Sequence, residues 1–213
     1  MKTDELVSLL ARGAQSPDRG AATRRAVLAL SAAGLLALAF TATVLGLRAD
    51  WFGQSPASAL FLREAYCTCL SIAGLLAARR LALPGRRVGA LAWGLVVPIA
   101  LMWALAVVTL LQAPAAARPG LILGSTAAVC PWLIAVVATP IFVALLWLAR
   151  GLAPTRLAAA GALAGFASGA CGALIYTLHC PELAAPFLAV WYLLGMLIPT
   201  AVGFFLGPRL LRW

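Results

Sequence analysis

Six runs of sequence carry no charged residue at all, and they decide what this chain can be. They are Ala26–Leu47, Ala65–Ala78, Val88–Ala117, Gly120–Ala149, Leu157–Leu178 and Leu183–Pro208. About 20 apolar residues cross a bilayer as a helix, so five of the runs qualify by length. The second has 14 residues and reaches a spanning length only by starting near Leu60. That start puts Arg63 and Glu64 at its mouth, where an arginine can snorkel to the headgroups. With 64% hydrophobic and 10% charged residues, the chain has too much apolar surface for a soluble globule of this size. The expected fold class is all-α: a polytopic membrane protein of six transmembrane helices, with a segment 1–25 ahead of a six-helix domain 26–213.

Basic residues set the expected orientation. An even number of spans places both termini on one side. That side collects Lys2, Arg12, Arg19, Arg24, Arg25, Arg79, Arg80, Arg86, Arg87, Arg150, Arg156, Arg209 and Arg212, against Arg48, Arg63 and Arg118 on the other. Both termini are therefore expected in the cytoplasm and the chain in a bacterial inner membrane. The net charge of +10 reads as this topology signal and requires no nucleic acid. Asp4 and Glu5 stand where a signal peptide has its basic region, so residues 1–25 are expected to be a retained cytoplasmic segment.

Within that segment Leu6, Val7, Leu9 and Leu10 form a short apolar face, with Thr3 as a helix N-cap and Gly13 as a stop. So short a helix is marginal in water. It lies on the membrane surface or folds into the groove of a partner.

The fourth run is 29 residues from Leu121 to Ala149, about 43 Å as a helix against a hydrocarbon core of about 30 Å. Proline belongs in the first turn of a helix, so the span is expected to start near Pro131 and Pro140 to kink it. Pro181 and Glu182 likewise read as the first turn of the sixth helix. Cys130 and Cys180 then each precede an outer helix start, a position that favours the thiolate. They are candidates for a disulfide, a redox sensor or a metal site helped by the lone histidine, His179. The alternative is a pair of ordinary small residues and an interfacial histidine. Cys67 and Cys69 lie early in the second span, and Cys171 reads as packing within the fifth. So do Gly161, Gly165, Gly169 and Gly172, a small-residue stripe that admits a neighbouring helix.

No span contains a buried carboxylate, lysine or histidine of the kind that marks an ion path. No Walker loop, HExxH or Ser/His/Asp pattern appears, and no cofactor is expected.

The start "MKTDELVSLLARGA", the "CPW" at 130–132 and the end "LHCPELAAPFLAVWYLLGMLIPTAVGFFLGPRLLRW" resemble the NrsF family. Its members are six-span inner-membrane anti-sigma factors of extracytoplasmic-function sigma factors. The resemblance implies a non-enzymatic regulator that holds a sigma factor through the N-terminal segment, here Leu6, Val7, Leu9 and Leu10, together with the cytoplasmic loops. It also implies that two cysteines, here Cys130 and Cys180, take part in sensing oxidants or heavy metals. The competing readings are a quinone-linked membrane thiol–disulfide oxidoreductase, using Cys67 and Cys69 as well, and a transporter.

Overall fold

In the computed structural model, Glu5, Ser8, residues 19–48 and residues 57–212 are described. Leu6, Val7, Leu9 and Leu10 lie outside the described residues. Among these residues six helices are long and apolar enough to cross a membrane. Helix α1, Arg19–Phe40, closes in a π turn, Thr41–Leu45. Helices α2, Ala57–Ala82, and α3, Leu91–Gln112, follow. A short α4, Arg118–Leu123, precedes α5, Cys130–Arg150, and α6, Leu157–Tyr176. The last helix, α7, runs from Ala185 to Leu210 and contains a π turn at Leu188–Tyr192.

The bundle is built around α6. Its glycine stripe removes the side chains that would hold neighbours away, so backbones meet directly. A Cβ added at Gly161 would strike the Gly203 carbonyl of α7, and one at Gly165 the Pro199 carbonyl. Gly172 does the same for α5, where a Cβ would fall 2.8 Å from that of Ala138. Helices α2 and α5 flank this pair, whereas α1 and α3 are peripheral. Helix α3 buries only Met102 and Ala106, and most of its other side chains face outward.

Two expectations about helix ends are corrected. Helix α2 begins three residues earlier than Leu60, and Arg63 does not snorkel outward: it is fully buried. Pro181 and Glu182 are not the first turn of the last helix, because residues 180–184 are irregular and α7 starts at Ala185 with Pro186 in its first turn. Pro186 is the better helix starter, since its missing N–H falls where no intrahelical bond is made. Pro140 sits inside α5, which continues through it to Arg150.

Replacing Gly165 by valine should lower the thermal midpoint in detergent strongly, by the equivalent of about 3 kcal/mol or more, since backbone rather than a flexible side chain blocks the new methyl groups. Gly34→Ala, where a Cβ meets nothing within 4 Å, should leave it unchanged or slightly raised. Similar losses from both would show that the α6–α7 contact is looser than described.

Candidate functional site

One end of the bundle gathers the start of α2, the end of α1, the 113–129 connection and the 177–184 turn. This is the end away from the arginine-rich connections 79–87 and 150–156. The turn after α6 is wound tightly: the backbone N–H groups of His179 and Cys180 both donate to the Tyr176 carbonyl, at 3.0 and 3.1 Å. Such a turn leaves the carbonyls of Thr177, Cys180 and Glu182 without helical partners. An unpaired buried carbonyl is costly.

Arg63 satisfies all three. Its Nη1 donates to the carbonyls of Cys180 (2.8 Å) and Glu182 (3.3 Å), and its Nη2 to that of Thr177 (3.1 Å). The guanidinium is fully buried, and Glu64 supplies the counter-charge at 3.2 Å from Nη2. The same carboxylate accepts from the Thr177 hydroxyl at 3.2 Å. Adjacent residues of α2 thus grip the turn by both its carbonyls and its hydroxyl. An isolated buried charge is expelled, and one with this many partners is kept.

Glu182 fixes the turn to the second connection. Its Oε1 accepts from the Ser125 amide and hydroxyl, both at 2.7 Å. Gly124 has a φ of +52°, and a Cβ there would lie 2.6 Å from the Glu182 carboxyl carbon. Only glycine allows both the backbone angle and the approach. The next turn delivers α5: the Cys130 amide bonds the Thr126 carbonyl at 2.9 Å. A further tie joins Trp191 Nε1 of α7 to the Ile122 carbonyl at 2.8 Å.

These ties bring Cys130 and Cys180 together. Both are fully buried in one cluster of side chains, close enough that the charge state of one thiol affects the other. The Cys180 thiol is held below the ordinary thiol range, first by the neighbouring Cys130 thiol, against the opposing effect of burial. The Glu182 backbone N–H and the Thr126 hydroxyl help, the latter at 4.0 Å from the sulfur. The thiolate is thus favoured by neighbouring donors and not by a helix start. Three tyrosine hydroxyls, of Tyr66, Tyr176 and Tyr192, are buried without a well-aligned partner, so the surroundings of the thiols are polar but dry.

Cys67 shares the buried cluster of this pair, whereas the remaining cysteines lie elsewhere. Cys67 is buried and Cys69 exposed, as expected two residues apart on a helix, where side chains point in nearly opposite directions. Cys171 is half-buried on α6. His179 turns towards the end of α1, its Nδ1 3.0 Å from the Gly46 carbonyl, and the Arg48 amide bonds the Leu178 carbonyl at 3.0 Å. Among the described residues no three His, Cys, Asp or Glu side chains form a metal-sized cluster.

A family model described as "Negative regulator of sigma F" (NrsF) matches residues 10–213. The chain belongs to the NrsF family. It is 40% identical to the "Probable anti-sigma-F factor NrsF" of Azospira oryzae over 213 residues, covering 100% of both chains. It is 36% identical over 218 residues to the "Anti-sigma-F factor NrsF" of Caulobacter vibrioides, again covering 100% of both. No solved structure matches.

Sequence reasoning named Cys130, Cys180 and His179 but missed the machinery that joins the thiols: Arg63, Glu64, Gly124 and Ser125. The available signal was Arg63–Glu64 itself, a charged pair inside a helix otherwise built for lipid.

Two outcomes follow for this NrsF-family site. Arg63→Met should cost about 3 kcal/mol by leaving the turn's carbonyls and Glu64 unpaired, seen as a lowered thermal midpoint and faster Cys180 alkylation in detergent. The lowered thiol favours folding above the ordinary thiol pKa, and this contribution falls away as pH drops through the lowered one. In a chain whose other cysteines are serine except Cys130, Cys180 alkylation should persist to lower pH than that of a free thiol. Cys130→Ala should move the midpoint of that pH profile upward, because it removes the neighbouring thiol.

Proposed function

We propose that this chain is a membrane-embedded anti-sigma factor that holds an extracytoplasmic-function sigma factor at the bacterial inner membrane. It lets the sigma factor go when Cys130 and Cys180 are oxidised or bridged by a soft metal ion. Family membership supports the first half. The buried contact between the two thiols, on segments 50 residues apart, carries the second. The basic asymmetry of the connections supports placing both termini in the cytoplasm and the thiol pair at the opposite face, where disulfides persist. Residues 1–25, through Leu6, Val7, Leu9 and Leu10, supply the surface for the sigma factor, and the six-helix domain supplies the sensor.

The chemistry is balanced by the oxidant. The Cys180 thiolate attacks a peroxide oxygen, the O–O bond breaks, and the departing oxygen leaves as hydroxide or alkoxide and takes a proton. Cys130 then attacks the sulfenic acid, an S–S bond forms and water leaves. Two thiols have lost two electrons, and the peroxide has gained them. A soft ion replaces the two thiol protons instead.

Either event changes the contact between the thiols and moves the start of α5 against the 177–184 turn. The turn is tied to α2 by Arg63 and to the 124–126 loop by Glu182, so the strain passes to helices that cross to the basic end. The partner leaves only because the two arrangements differ in affinity for it. His179 is placed to sense the same turn through Gly46, and its part in metal binding would be secondary. An oxidoreductase would need a close reactive second pair, and Cys67 and Cys69 face different surroundings.

Two experiments check this reading. Copurification of a sigma factor with the full chain should be lost on deleting residues 1–20, while the six-helix domain stays folded. Retention at the full level would remove the N-terminal segment from the account. The double variant Cys130→Ser/Cys180→Ser should bind the sigma factor as the parent does, yet show no rise in sigma-dependent transcription with peroxide or cadmium. A normal rise would sink the sensing role.

A further inference from the structure

The basic end of the bundle carries a groove remote from the thiol pair. Helix α3 is pinned by its far half: Met102 and Ala106 are buried, and the helix packs on α2 and on the start of α7. No residue of its near half, Leu91–Ile99, is buried. That half stands clear of α6 and α7 and leaves a wedge of about 570 Å³. Ala92 and Leu95 of α3 line one wall, Leu163 of α6 and Phe204 of α7 the other, with Arg87 and Arg156 at the mouth.

Three observations say what fits there. Leu163 lies six residues into α6, about 9 Å below its start, so the walls sit at the depth of acyl chains, not of loops. Phe204 is half exposed, and Val96 beside the groove is 52% exposed, so the wedge opens sideways between helices rather than into a closed cavity. Arg87 and Arg156 are exposed, come from different connections and have no ion-pair partner among the described residues. Two unneutralised cations above an apolar slot complement a phosphate with a hydrocarbon tail.

We propose that this wedge is a binding site for an anionic phospholipid. The headgroup phosphate is held between Arg87 and Arg156, and an acyl chain runs between α3 and α6 against Leu95, Leu163 and Phe204. Filling the wedge braces the free half of α3 against the core. This site rests on the membrane placement given above but not on the sigma factor or on the thiol pair.

The test is native mass spectrometry of the full chain in detergent with dioleoylphosphatidylglycerol and dioleoylphosphatidylcholine at equal concentration. The phosphatidylglycerol adduct should be retained preferentially. Arg87→Gln/Arg156→Gln should weaken it about tenfold, while Arg209→Gln, at an exposed arginine of the same end outside the groove, should not. An excess of inorganic phosphate should leave the adduct in place, since the tail supplies much of the binding. Equal retention of the two lipids, equal loss with Arg209→Gln, or displacement by phosphate alone would each overturn the site. A groove that takes no phosphatidylglycerol, with sigma copurification lost in the double arginine variant, would assign it to the protein partner and overturn it too. Alkaline washing of cell membranes separates the premises: release of the chain refutes the membrane placement itself, whereas a retained chain without lipid preference refutes only this site.

Discussion

The arrangement at the thiol end depends on one buried cation. A buried guanidinium is tolerable only where most of its donors find acceptors, and the two terminal nitrogens of Arg63 find them in three carbonyls that the turn after α6 leaves open and in the Glu64 carboxylate, while Nε is left without one. Each side solves the other's problem. The turn could not be buried without a donor set of this shape, and the arginine could not be buried without the turn. Lysine, with three donors on a point charge and no planar fork, could not span the same carbonyls as well. From this clamp the rest follows: Glu182 reaches Ser125, Gly124 makes room, and α5 starts where its first residue meets Cys180.

The clamp also explains why a reactive thiol can exist in so apolar a protein. Burial alone would drive a thiol to its neutral form. Cys180 escapes because a second thiol, a backbone N–H and the Thr126 hydroxyl lie against it, all brought there by the turn. Any event that changes one sulfur therefore changes the surroundings of the other. At the opposite end the chain is built differently, with exposed arginines and a splayed α3 in place of closed polar ties.

The sequence made the six helices legible because charge-free runs leave a chain few alternatives to crossing a bilayer. The glycine stripe of α6 was equally readable, since small residues at helical spacing have one common use there. Cys130 and Cys180 stood out by their Cys-Pro setting and by family resemblance, but spacing alone could not show that they touch. Arg63 was misread because a hydrophobic run describes lipid contact and says nothing of a polar turn folded over its end. Pro181 misled in the same way: its fit to a helix start is real, but Pro186, five residues on, fits the last helix better and leaves 180–184 free for Arg63 and Ser125. The groove beside α3 leaves no trace in the sequence, because it depends on how far two helices diverge.

The account joins a thiol pair at one end to a partner held at the other, and one measurement addresses that link directly. Membranes carrying the chain with its sigma factor bound are treated with a graded series of a thiol oxidant, and two quantities are read from each sample: the fraction of Cys130 and Cys180 closed to maleimide, and the fraction of sigma factor still copurifying. The two should fall into register, with release following closure of the pair and both returning on reduction. Closure of Cys130 and Cys180 with the sigma factor fully retained would contradict it.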